Sequence, residues 1–226
     1  MSRRKRWRRR SYGSTPLDGH VVLLGDSILD NEHYVGHEPD IARLLAGLLG
    51  DTWKVTLLAR DGATTDTLRF QAEQIPADTT ELVVSIGGND ANRNARILVD
   101  PNLYTMREAL EELWFLGSVF ALNYEEAVEP LLKLGLPVTV CTIYDCDFPE
   151  GEAEAVRAAL AIFNDVILRF AFLHDLPVLD LRTVCTGPED YEHYIEPSAT
   201  GGAKMARAIS GRLVRAGRHA KGMVSP

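Results

Sequence analysis

Four short strings in this 226-residue sequence carry the residue types that acyl transfer needs. Ser27 follows an apolar run in Gly25-Asp26-Ser27, and a serine on a glycine-containing turn can present its hydroxyl clear of a sheet. Asp190 and His193 stand three residues apart. That spacing suits a carboxylate that orients an imidazole and an imidazole that takes a hydroxyl proton. Asn89 lies in Gly87-Gly88-Asn89-Asp90, and Gly62 offers bare backbone where a substrate oxygen approaches closely. The Ser27 N–H, the Gly62 N–H and the Asn89 amide would then hold a developing oxyanion. Each residue also has a plainer reading. Serine after a strand caps helices, Gly-Gly-Asn-Asp makes turns, a glycine permits a left-handed turn, and a lone histidine sits in water. Their meeting at one place decides between the two.

The elements that must bring them together read as alternating strands and helices. Apolar runs at Val21–Leu24, Val55–Ala59, Leu82–Ile86, Pro137–Ile143 and Pro177–Leu181 predict five short strands buried on both faces. Helical patterns cover 39–49, 64–74, 105–116, 124–134, 151–173 and 200–216. Such alternation predicts a parallel sheet with right-handed crossovers, a three-layer α/β/α sandwich. Ligands bind at the carboxyl ends of such strands, and in the order 2-1-3-4-5 the first three strands are neighbours. Ser27, Asp61-Gly62 and Asn89 follow those three strands, while Asp190 and His193 follow the fifth. The predicted domain spans 18–217, flanked by a disordered basic tail at 1–17 and a flexible tail at 218–226.

Composition bounds the rest. The chain is 46% hydrophobic and 25% charged, ordinary for one globular domain. Net charge is −8, yet seven of the 24 basic residues fall in RRKRWRRR at 3–10. The remaining body is strongly acidic, which argues against nucleic-acid binding except through that tail. No apolar run approaches a membrane span, and no apolar segment follows the arginines as a secretion signal requires. Cys141, Cys146 and Cys185 show no CxxC spacing, so a structural zinc site is not expected; the odd count suits a reducing, cytoplasmic compartment. Neither GxGxxG nor GxxxxGK[ST] occurs after the first strand, and Gly25-Asp26-Ser27-Ile28-Leu29 lacks the second glycine of the α/β-hydrolase elbow.

VVLLGDSILDN at 21–31, Gly62, SIGGND at 85–90 and the Asp190–His193 string resemble the SGNH (GDSL) hydrolases over roughly 20–216. The resemblance implies a flavodoxin-like fold and cleavage of carboxylic esters, including acetylated sugars and lipids, without a metal or organic cofactor. It implies Ser27 as nucleophile and first oxyanion donor, Gly62 and Asn89 as the other donors, and Asp190 with His193 as the acid–base pair. One block departs from the family. There a Pro follows the catalytic His, with a Gly shortly after; here the string is Glu196-Pro197-Ser198-Ala199-Thr200-Gly201. In that register Glu196 takes the histidine position and His193 the aspartate position. The two registers imply an esterase with a histidine base or, alternatively, a relative that uses Glu196 or only binds, tethered by its basic tail to nucleic acid or a membrane surface. Trp114 and Phe115 fall in a helical pattern that predicts core, while Arg93 and Arg96 are candidates to meet an anionic substrate, and His33 and His37 to line the rim.

Overall fold

The computed structural model describes residues 19–99 and 105–222. The strands are β1 (Gly19–Gly25), β2 (Trp53–Leu57), β3 (Glu81–Ser85), β4 (Val138–Cys141) and β5 (Val178–Leu179). They form one parallel sheet in the order β2-β1-β3-β4-β5. This is the expected α/β sandwich. Because side chains alternate along a strand, β1 sends Val21 and Leu23 to one face and Val22 and Leu24 to the other, all four fully buried. Helices α1 (Ile41–Leu49) and α6 (Ala199–Gly222) cover the first face through Ile41, Leu45, Met205 and Ile209. Helices α2 (Leu68–Ala72), α4 (Met106–Leu132) and α5 (Ala153–Leu173) cover the second through Leu68, Tyr124, Phe163 and Ile167. The short helix α3 (Gly88–Arg93) sits between β3 and α4 at the sheet's carboxyl edge.

Four elements differ from the sequence reading. The segments 105–116 and 124–134 are one helix, α4, running unbroken through Gly117-Ser118. A Cβ on Gly117 would stand 2.5 Å from Ile162 Cγ2, so the missing side chain lets α4 lie close on α5 rather than ending a helix. Trp114 and Phe115 are surface residues, 69% and 59% exposed, because no described element packs over that face of α4. Phe120 and Tyr124 are the aromatics of this helix that reach the core. The segment 64–74 is helical only at Leu68–Ala72, preceded by a 3-10 turn at Thr65–Thr67. Helix α6 continues to Gly222, past the expected 216. The basic tail at 3–10 lies outside the described residues. A two-stranded antiparallel hairpin, β6 (Tyr191–Glu192) with β7 (Glu196–Pro197), was not foreseen.

Candidate active site

The nucleophile loop begins at Gly25. Its φ is +135°, and a Cβ there would fall 1.7 Å from the Ser85 carbonyl oxygen, so only glycine lets β1 turn this tightly against β3. Gln71 of α2 fixes the turn: its Nε2 donates to Gly25 O at 2.7 Å, and its Oε1 accepts from Gly25 N at 2.8 Å. The Asp26 N–H donates to Ser85 O at 3.1 Å, and the buried Asp26 carboxylate accepts from Ile28 N at 3.1 Å. Ser27 is thereby held almost buried, 7% exposed, at the edge of the sheet. Burial pushes the Asp26 carboxyl up to about 8; the Ile28 N–H opposes this, and the Asp90 and Glu196 charges add to it.

Gly62 and Asn89 arrive from the neighbouring strand ends. Gly62 adopts φ +75° with open space where a Cβ would point. Asn89 Nδ2 donates one N–H to Ala63 O at 2.9 Å, which fixes the amide and leaves its second N–H free. Among the described residues, the Ser27 and Gly62 N–H groups donate to no protein acceptor. Asp90 does not face the site. Its carboxylate takes the Thr65 hydroxyl at 2.6 Å and the Thr65 N–H at 3.1 Å, and burial raises its pKa.

The terminal hairpin departs from the Asp190–His193 pairing. Asp190 is fully buried, but its partners are the N–H groups of Thr186 and Gly187, at 2.9 and 3.2 Å, and the Lys204 ammonium at 2.7 Å. A buried carboxylate needs a counter-charge, and α6 supplies it one helix further on. His193 is exposed at the hairpin tip, and no imidazole among the described residues hydrogen-bonds the Ser27 hydroxyl. Glu196 lies beside Ser27 instead, in the lining of the same pocket. It is half-buried, and burial raises its pKa, while the neighbouring Ser27 hydroxyl lowers it, Asp61 adds a further rise and the nearby His193 lowers it. Its Oε2 is buried without a partner. Two bonds fix the backbone around it: Tyr144 OH donates to Ile195 O at 2.6 Å, and Asn31 Nδ2 donates to Pro197 O at 3.4 Å. The Asn31 Oδ1 also caps α1 by accepting from Ile41 N at 3.0 Å, so one side chain ties the nucleophile loop to the hairpin.

From Ser27, Asn89 and Glu196 an apolar pocket runs under the start of α4, with about 800 Å³ of empty space, its open mouth included. Its walls include Ile97, Leu113, Leu116, Phe148, Leu160 and Phe163. Arg93 and Arg96 are exposed and do not line it, and Arg93 lies 3.9 Å from Asp66 instead. His33 and His37 are also exposed and outside it. Sequence reasoning missed Lys204, Tyr144 and Asn31. Nothing in their local strings distinguishes them from ordinary helix, strand-end and loop residues.

A parallel sheet of this order between two helix layers, with Ser27, Asn89 and Glu196 gathered at its carboxyl edge, defines a flavodoxin-like sandwich with one candidate site. The model of the GDSL-like Lipase/Acylhydrolase family matches residues 23–204, and the chain belongs to that family. Among solved structures, the chain is similar to an extracellular lipase from Streptomyces rimosus, with 18% identity, TM-score 0.67, and coverage of 85% of this chain and 99% of that one. It is similar to a phospholipase A1 from Streptomyces albidoflavus NA297, with 18% identity, TM-score 0.66, and coverage of 85% and 98%. A catalytic mutant of an acetylxylan esterase from Geobacillus stearothermophilus is 18% identical, with TM-score 0.58 and coverage of 87% and 94%. These likenesses establish a shared fold. No curated protein matches the chain.

Proposed function

We propose that this protein is a serine hydrolase of carboxylic esters in which Glu196, in the position the family gives to histidine, is the base. One observation carries the reading: among the described residues Glu196, and no histidine, lines the pocket beside Ser27. Ser27 Oγ attacks the ester carbonyl as Glu196 takes its proton. The tetrahedral oxyanion accepts from the Ser27 N–H, the Gly62 N–H and the free Asn89 N–H. Glu196 then returns the proton to the departing alcohol, leaving an acyl-serine. A water, deprotonated by Glu196, releases the acid and restores Ser27. A carboxylate is ordinarily a weak base at neutral pH. Partial burial corrects this in the needed direction, bringing the Glu196 pKa nearer to the working range.

The acyl chain fits the apolar pocket, whose walls offer little to a bare acetyl group and contact to every further methylene. Medium-chain acyl esters are therefore the substrate class, in keeping with the lipase and the phospholipase A1 among the structural neighbours. Free Cys141, Cys146 and Cys185 support a reducing, cytoplasmic location.

The test is hydrolysis of p-nitrophenyl acetate, butyrate and octanoate. Turnover rises with chain length. Ser27→Ala abolishes it, and Glu196→Gln lowers kcat by about 10²–10⁴. Full activity in Glu196→Gln together with loss in His193→Ala would restore the histidine register. The missing imidazole favours one second reading, a binding relative that performs no chemistry; failure of a fluorophosphonate to label Ser27 would establish it.

A further inference from the structure

The string Arg3-Arg4-Lys5-Arg6-Trp7-Arg8-Arg9-Arg10 sets seven cations around one tryptophan, and none of the catalytic steps above employs it. We infer that this string docks on its own chain, along the outward stripe of α4. Trp7 seats on the exposed apolar residues at the centre of the stripe, and the basic residues lie beside the glutamates at its two ends. Residues 3–10 are outside the described ones, but the surface that receives them is not.

Helix α4 turns Gly117, Phe120, Tyr124, Val128 and Leu131 to the core. Glu112, Phe115, Val119, Leu122, Glu126 and Glu129 recur at alternating intervals of three and four, so they form one stripe on the opposite side. A surface helix normally presents polar residues there. Here the middle of the stripe is apolar, and Phe115, Val119 and Leu122 are all exposed, Leu122 by 69%. The helix is also acidic, with six glutamates against one arginine between Met106 and Leu132. Glu129 pairs with Lys133 at 3.2 Å, but Glu112, Glu125 and Glu126 make no ion pair among the described residues. Acid, apolar, acid along the stripe matches base, tryptophan, base along the string. The dimensions agree as well. From Glu112 to Glu129 the helix runs about 26 Å at 1.5 Å per residue. Eight residues of extended chain span about the same length. The joining residues 11–18 reach a further ~26 Å from Gly19. Gly19 opens β1 at the amino edge of the sheet, the edge at which α4 ends and hands over to β4, two strands away. Two strand spacings are about 10 Å, well inside that reach. Nucleic acid or anionic lipid would compete for the same cations, but each must approach a body whose remaining charge is strongly negative. The stripe attracts the string at the high effective concentration of a short tether.

The test is cross-linking of the full chain with a water-soluble carbodiimide, which joins a lysine amine to a carboxylate as an amide while the reagent takes up the water as a urea. The products are read by mass spectrometry. Lys5, the one lysine of the string, joins to Glu112, Glu125 or Glu126 at about 0.15 M salt. The yield falls several-fold at about 1 M salt, where the attraction of exposed charges is screened. It falls several-fold in Trp7→Ala as well, which keeps every cation and removes the seated ring, and in Leu122→Ser, which removes the seat. Chains of natural isotopic abundance are mixed with ¹⁵N-labelled chains before reaction. Cross-linked pairs of single isotopic origin are docking within one chain, whereas pairs of mixed origin are contact between copies and overturn it. Absence of a cross-link from Lys5 to α4, or a yield indifferent to Trp7→Ala, also overturns it. Phosphatidylglycerol vesicles and single-stranded RNA are added in separate arms at the lower salt. The cross-link to α4 persists in both; its loss in either assigns the string to that partner and overturns docking on α4.

Discussion

Asn89 shows what a single side chain contributes here. In the proposed mechanism its amide, fixed by one bond to Ala63 O, offers the second N–H to the oxyanion without reorienting. Pre-aligned donors of this kind act on the charge that develops at the transition state. Asn89→Ala therefore lowers kcat by about 10²–10³ with little change in KM, measured by steady-state ester hydrolysis. That Ser27, Gly62 and Asn89 gather at one sheet edge was legible because each sits in a short string directly after a strand, where topology dictates the neighbours. The placement of Asp190, His193 and Glu196 was not. Three residues of register separate the two alignments of that block, and the deciding partner is Lys204, out of sight in the following helix. An Asp-x-x-His spacing says nothing about a lysine that neutralises the aspartate from elsewhere.

Among elements, the strands were easy to read, since continuous apolar runs such as Val21–Leu24 have little alternative to a doubly covered sheet. Helix α4 was not, because its meaning lies in what faces it. The helical pattern reads as ending at 116, but Gly117 continues the helix and marks its close contact with Ile162 across the interface. Trp114 reads as core by periodicity, but the packing layer ends before it. Gly117→Val tests the contact. The added carbons have no room against α5, which costs about 1–3 kcal/mol. For a chain of this size that lowers Tm by about 2–4 °C per kcal/mol, read by thermal unfolding followed by circular dichroism. Because the pocket also runs between α4 and α5, through Leu116 and Leu160, the same variant weakens octanoate turnover more than acetate turnover.

For the whole molecule, the buried carboxyls set a pH dependence of stability. Asp26, Asp90, Glu81 and Glu196 all have raised pKa values in the folded chain, chiefly through burial, with Asp26 at about 8. A raised carboxyl binds its proton more tightly folded than unfolded. Its contribution is complete below the unfolded value and is lost as pH climbs through the folded one. Asp78 and Asp180 have lowered values and act oppositely, but their gain is complete once pH exceeds the ordinary carboxylate range. Tm therefore falls between about pH 5.5 and 8.5, and Asp26→Asn flattens that fall, as scanning calorimetry would show. The arrangement of the site along the chain has a consequence for biosynthesis. Ser27 lies near the beginning of the sandwich and Glu196 on the hairpin just before the last helix. On the proposed mechanism a partly translated polypeptide exposes a serine with no group to activate it, and hydrolytic competence is acquired only when the closing stretch has left the ribosome and folded.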